Sequence, residues 1–116
     1  MLPSGQAREA LYKAGMTMSL KLAIAGCSGR MGRQLASAAL ATGHTISGGS
    51  EAPDAEALGQ DIGRLAGSEP IGVMATDNLQ QATSGATAWL DFTVPQATLS
   101  VLKVLPKQGV RAAVIG

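Results

Sequence analysis

The residues with the clearest chemical content are a glycine-rich run, Gly26-Cys27-Ser28-Gly29-Arg30-Met31-Gly32, and a carboxylate, Glu51, about twenty residues further on. A glycine turn that feeds a helix makes a ready anion site. The first N–H groups of a helix have no partner within it, and the helix dipole is positive at that end. Gly26 would let the chain turn sharply. Gly29 would remove a Cβ where a pyrophosphate approaches, and Gly32 would let the helix lie close to a strand. The spacing is G-x-x-G-x-x-G, with Ser28 at the position where the commoner G-x-G-x-x-G has its second glycine. Glu51 falls where a carboxylate accepts hydrogen bonds from the adenosine ribose hydroxyls. The combination points to dinucleotide binding rather than to a purely structural turn.

Glu51 also bears on which dinucleotide. A carboxylate there favours NADH and repels the 2′-phosphate of NADPH. Ala52, which follows it, offers no guanidinium for that phosphate, although Arg30 and Arg33 are near in sequence to the loop. NADH is the expected cofactor, with NADPH left open.

Other chemistry is sparse. The single cysteine, Cys27, excludes an internal disulfide and a cysteine-based zinc site. A thiol beside a helix start can be activated, but Cys27 reads more simply as a small loop residue. The only histidine, His44, lies past the end of the first helix and reads as a surface or turn residue. Asp91 is a strand-end acid that reads as a cap or loop residue. No convincing acid–base pair appears, and no metal site is expected.

The elements that must carry the loop follow from the pattern of apolar residues. Leu20 to Ala25 is a short apolar run ending at glycine, suited to a buried parallel strand. Met31, Leu35, Ala38, Ala39 and Thr42 recur at helical spacing, with Gly43 as the stop. Thr45 to Ser50 is a poor strand by propensity, expected because a βαβ unit requires one there. Residues 51–67 read as a polar loop with one or two helical turns. Ile71 to Met74 is a short strand candidate, and Asn78 a cap for a short helix through Ala82. Ala88 to Phe92 is the next strand. Pro95 opens a helix through Leu99, Leu102 and Lys103, and Pro106 is expected to kink or end it. Val110 to Ile115 is the last strand. Strands alternating with helices predict an α/β, Rossmann-like doubly wound parallel sheet over residues 20–116.

The 116 residues support one domain. Alanine and glycine abound, while Tyr12, Trp89 and Phe92 are the only aromatics, which suits close helix-on-sheet packing. The formal charge is +1 with no basic block, so a nucleic-acid partner is not expected. No apolar run is long enough to span a membrane, and a cytoplasmic location is the default. Residues 1–19 read as an upstream extension or tag remnant. A short helix is possible over Ser4 to Ala14, and Met16 and Met18 are both plausible starts.

With these residues in place, the chain resembles a known family. LAIAGCSGRMGRQLASAAL (22–40) is similar to the opening of the 4-hydroxy-tetrahydrodipicolinate (dihydrodipicolinate) reductases, with Gly29 to Gly32 as its most specific part. LDFTVPQAT, Leu90 to Thr98, resembles the family's D-F-T-x-P block, and Val114 to Gly116 looks like the start of its V-x-G-T-T-G segment. The resemblance implies that Gly26, Cys27, Ser28, Gly29, Arg30 and Met31 hold the pyrophosphate, with Arg30 near the phosphates or adenosine. It implies Glu51 on the ribose, Phe92 and Thr93 at the nicotinamide half, and Gly116 at the start of the loop supporting the nicotinamide ring. Some members carry arginines where this chain has Ala52 and Val94, which weakens the case for NADPH. The implied reaction is hydride transfer from NADH or NADPH to a cyclic unsaturated dicarboxylate in diaminopimelate and lysine biosynthesis, by a full-length homotetramer. The family's catalytic residues belong to a substrate and tetramerisation domain with no match here, so the chain is expected to be an incomplete, nucleotide-binding portion without catalytic residues. Two other readings stay open: the nucleotide-binding half of another two-domain dehydrogenase, aspartate or homoserine dehydrogenase-like, and a non-catalytic nucleotide-sensing module.

Overall fold

A computed structural model describes residues 20–93, 102 and 104–116. Within it the chain runs β1 (Lys21–Ala25), α1 (Arg30–Ala41), β2 (Thr45–Ser50), α2 (Ile62–Leu65), α3 (Leu79–Thr83) and β3 (Ala88–Asp91). A 3-10 turn (Leu105–Gln108) and β4 (Ala112–Ile115) follow. Among the described residues the strands form one parallel sheet in the order β2-β1-β3-β4. The α/β parallel sheet expected from the sequence is therefore present.

Alternation along β1 sorts the core into two layers. Leu22 and Ile24 face one side, with Ile46, Cys27, Ala36, Ala39 and Ile62. Ala23 and Ala25 face the other, where they pack with Ala82, Ala86 and Leu105 around Trp89. Trp89 is fully buried. One large ring among methyl-sized neighbours fills that layer, which accounts for a core with so few aromatics.

The position of α1 is set by Gly32. A Cβ there would stand 2.1 Å from the Gly26 carbonyl oxygen and 2.8 Å from the Cys27 Cα. The helix can sit this close to the β1 corner only at a glycine, and that contact fixes its rotation about its axis. The buried face therefore runs through Gly32, Ala36 and Ala39, with Leu35 and Leu40 packed alongside. This corrects the face expected through Met31 and Ala38, both of which are exposed. The helix ends as expected. The Thr42 hydroxyl donates back to the Ala38 carbonyl at 2.8 Å, and Gly43 adopts a positive φ of 83°.

The weak-looking second strand exists because of what covers it. A Cβ on Gly48 would lie 1.9 Å from the Ala82 carbonyl oxygen, and one on Gly49 would lie 2.6 Å from the Ile62 side chain. The two glycines admit α3 on one face and Ile62 with Cys27 on the other. A register shift between Leu22 and Ala23 accommodates the bulge at Ser47.

Residues 71–74 do not form the expected strand. Asp61, the N-cap of α2, accepts the N–H groups of Gly63 (2.8 Å) and Arg64 (3.3 Å). It also accepts those of Ile71 (3.0 Å) and Gly72 (2.7 Å). These donors are diverted from a ladder, and Gly72 turns the chain with φ 80°. What remains of strand pairing is two isolated bridges, Asp61 to Met74 and Ser50 to Thr76. The Asn78 cap is as expected, its side chain accepting the Gln81 N–H at 2.9 Å. Leu102 is helical, and Pro106 sits in the first turn of the 3-10 segment that follows, its missing N–H costing nothing there. The helix start expected at Pro95, the positions of Leu99 and Lys103, and residues 1–19 lie outside the described residues. Among the described residues no helix is long and apolar enough to cross a membrane.

Candidate functional site

The site begins where β1 stops. Gly26 turns with φ 65°, and its N–H and that of Cys27 both donate to the Ser50 carbonyl at the end of β2, at 2.9 and 3.2 Å. The loop is thereby pinned to the neighbouring strand. Gly29 then donates to the Gly26 carbonyl at 3.0 Å and becomes the N-cap of α1. Glycine supplies no capping side chain, and the first turn holds no acidic residue. The N–H groups of Arg30, Met31 and Gly32 therefore point out of the helix without an intrahelical partner. They are the donors a phosphate would take.

Glu51 follows Ser50 directly, so the same anchoring that closes the loop delivers its carboxylate. Its N–H donates to the Thr76 carbonyl at 3.0 Å. Its Oε2 accepts the Ser28 N–H at 2.8 Å and the Ser28 hydroxyl. The acid and the loop, separated in sequence, are in direct contact.

The third wall comes from β3. Asp91 is buried at its end and accepts the Trp89 indole N–H at 3.1 Å and the Thr93 N–H at 2.9 Å, along with the Thr93 hydroxyl. This holds Phe92 and Thr93 over the loop. The Thr93 methyl lies 3.0 Å from where a Gly26 Cβ would stand. The result is a cleft of about 290 Å³. Every residue expected at the site lines it except Cys27 and Gly116.

Those two are placed differently. Cys27 is fully buried in the core beneath the loop. Burial, then the nearby Glu51 charge, push its thiol up to about 12 against the lowering effect of its own backbone, so it is a neutral core side chain and no nucleophile. Only its backbone shapes the loop. Gly116 donates its N–H to the Asp91 carbonyl at 2.9 Å and lies flat against the Phe92 ring, where a Cβ would come within 2.0 Å of it. It backs Phe92 rather than lining the cleft. His44 is half-buried, its Nδ1 accepting the Leu20 N–H at 3.0 Å.

The sequence reading missed the part played by Asp91, which is an organising group and not a simple cap. A signal was present: Trp89 and Asp91 are two apart on a strand, so strand geometry puts both on one side. A larger groove of about 430 Å³ adjoins the site between α1 and the end of α2, bordered by Arg30, Arg33, Gln34 and Ser37 on one side and Leu65 to Gly67 on the other. We take the smaller cleft as the site because the helix N-terminus and the carboxylate converge there. Arg30 borders both.

The arrangement offers unpaired N–H donors, a carboxylate acceptor at one end and a half-exposed aromatic ring at the other. A donor cradle kept open by glycine, with a carboxylate beside it, fits the phosphates and ribose of a dinucleotide. Among the described residues no group of three or more metal-ligating side chains is present.

Comparison with known proteins agrees with this geometry. Residues 20–116 match the family model described as dihydrodipicolinate reductase, N-terminus. The 4-hydroxy-tetrahydrodipicolinate reductase of Cupriavidus pinatubonensis is 44% identical over 96 residues, which is 82% of this chain and 36% of that protein. The enzyme of the same name from Geobacter sulfurreducens is 42% identical over 84 residues, 72% of this chain and 32% of that protein. The chain spans about a third of the length of these relatives. With the glycine loop, Glu51 and the D-F-T corner brought to one cleft, and with the match running from Leu20 to the last residue, the chain belongs to the dihydrodipicolinate reductase family, as its N-terminal part.

Proposed function

We propose that residues 20–116 are the pyridine-nucleotide-binding domain of a 4-hydroxy-tetrahydrodipicolinate reductase, with residues 1–19 an extension outside it. The observation that carries this reading is the contact between Glu51 and the loop. The carboxylate and the helix start line one cleft, so that one ligand can meet both, its ribose at the acid and its phosphate at the helix start. In this reading the N–H groups of Arg30, Met31 and Gly32 hold the pyrophosphate within the loop Gly26–Met31. Glu51 accepts from the adenosine ribose. Phe92 and Thr93, with Gly116 behind Phe92, shape the nicotinamide end.

A reduced nicotinamide supplies a hydride, and the protein contributes position and charge. Asp91 keeps the Phe92–Thr93 corner in place, and the glycines keep side chains out of the phosphate path. NADH is the preferred form, because Glu51 puts negative charge where a 2′-phosphate would lie and Ala52 provides no cation to offset it. The parent enzyme reduces its cyclic dicarboxylate substrate, formed from 4-hydroxy-tetrahydrodipicolinate, to tetrahydrodipicolinate in the diaminopimelate route to lysine. The proton donor and the groups that clamp the dicarboxylate are supplied by the remainder of the full-length enzyme, a cytoplasmic homotetramer.

Calorimetric titration of the full chain with NADH and NADPH tests this reading. Binding of NADH is expected, and Glu51→Ala is expected to weaken it roughly tenfold or more, the effect of losing a charge-assisted hydrogen bond. Unchanged affinity in that variant would remove Glu51 from the ribose. No heat from either nucleotide would remove the binding function.

A further inference from the structure

Glu51 is held from one side only. Two donors from Ser28, its N–H at 2.8 Å and its hydroxyl, converge on Oε2. Oε1 is approached by the N–H of the adjacent Ala52 at 3.3 Å. A carboxylate has about four acceptor positions. Two on Oε2 are therefore occupied by the loop, while Oε1 keeps capacity for a ligand at the cleft wall that Glu51 forms.

Resting on the nucleotide-binding reading above, we propose that Ser28 is a specificity-positioning residue. Its grip on Glu51 presents Oε1 to the ribose diol of NADH and keeps the carboxylate from swinging away before the 2′-phosphate of NADPH. The two ligands differ at one point in the chemistry that matters here. A ribose hydroxyl can donate to Oε1. A 2′-phosphate brings negative charge and acceptor oxygens, so it meets like charge and no donor. An untethered glutamate could avoid that clash by rotating toward solvent, and the freed Ser28 N–H would then become a donor for the phosphate. The tether closes that escape. Discrimination of this kind comes from a repulsive element held in place. Serine at this loop position supplies the hydroxyl that a glycine would lack.

The test is calorimetric titration of the full chain with NADH and with NADPH. The variants are Ser28→Ala, Ser28→Gly, Ser28→Thr and Glu51→Ala, with thermal melts confirming that each is folded. The wild type is expected to favour NADH. Ser28→Ala and Ser28→Gly should lose roughly tenfold of the NADH-to-NADPH affinity ratio, as one charge-assisted hydrogen bond goes. Ser28→Thr, which keeps a hydroxyl, should retain it. A loop merely loosened by substitution would weaken both nucleotides together and leave the ratio in place, which counts against the proposal. A wild-type ratio in the alanine and glycine variants, with the ratio abolished in Glu51→Ala, would overturn the role of Ser28 while leaving Glu51 on the ribose. A wild type that binds NADPH as tightly as NADH overturns it too, leaving nucleotide binding intact. A wild type that binds neither removes the nucleotide reading and this inference with it.

Discussion

Among the described residues β2 and β4 are the two outer strands of one parallel sheet, and they are built from opposite materials. β2 reads Thr-Ile-Ser-Gly-Gly-Ser, a sequence of low strand propensity, yet Ile46 and Gly48 to Ser50 are buried. β4 reads Ala-Ala-Val-Ile, a far better strand by composition, and all four of its residues are exposed, Val114 and Ile115 by about half (49% and 48%). Strand propensity therefore does not by itself decide how much of the core a strand carries, and on β2 the burial follows from what lies over it. On β2 the absence of side chains is the means of burial, because α3 and Ile62 occupy the space that side chains would have filled. That covered edge also ends in Ser50 and Glu51, so the tight packing holds the acid against the loop.

The comparison can be broken most directly at Gly48. Gly48→Ala would drive a Cβ into the backbone of α3, and the expected loss is about 3 kcal/mol, the upper end for overpacking, read from urea denaturation midpoints. A loss under about 0.5 kcal/mol would mean that α3 shifts freely and that cover is not what holds β2.

A smaller effect, and one tied to pH, is expected at Asp61, which organises the segment delivering Ile62 to Gly49. Burial opposes its charge, but the N–H groups of Ile71, Gly72, Arg64 and Gly63 outweigh that and hold its carboxyl below the ordinary carboxylate value of 3.8. Its folded value is depressed, so its contribution is fully present above about pH 4 and is lost as pH falls through the folded value. The stability advantage of the wild type over Asp61→Asn should therefore be greater at pH 7 than at pH 3. An advantage that is the same at both would show that charge plays no part in the turn.

The smallest effect belongs to the exposed strand β4. Val114→Thr keeps the β-branched shape and should change stability by no more than about 0.5 kcal/mol. A loss of 2 kcal/mol or more, on the order of a core substitution, would show that β4 is covered after all and would erase the contrast.

Much of the site was legible in the sequence, for reasons that are local. A glycine that must turn, a helix that must start and an acid at the end of the next strand are all encoded within a few residues of where they act. Gly26, Gly29, Arg30, Met31 and Glu51 thus came together as read. The rest depended on contacts over long sequence distance. The face of α1 was misjudged because apolar spacing alone treats Met31 and Ala38 as core, whereas the close approach at Gly32 sets the rotation and turns both outward. Residues 71–74 looked like a strand because their side chains suit one. Their N–H groups were claimed by Asp61, ten residues earlier, which no local pattern shows. Cys27 sits within the loop motif, and only packing distinguishes its buried thiol from the open residues beside it.

By itself the sequence determined the parallel α/β order, the glycine loop at the start of the first helix and the family to which the chain belongs. These rest on backbone requirements and short motifs that hold wherever they occur. Tertiary structure alone decided that Glu51 is tied to Ser28, that Asp91 is the buried anchor of the Phe92–Thr93 corner, and that a glycine-rich strand is covered by α3 and Ile62. Each of these depends on which groups meet across the sheet, and the free energy of such a meeting comes from burial and hydrogen bonding between partners that the chain brings together only when it folds.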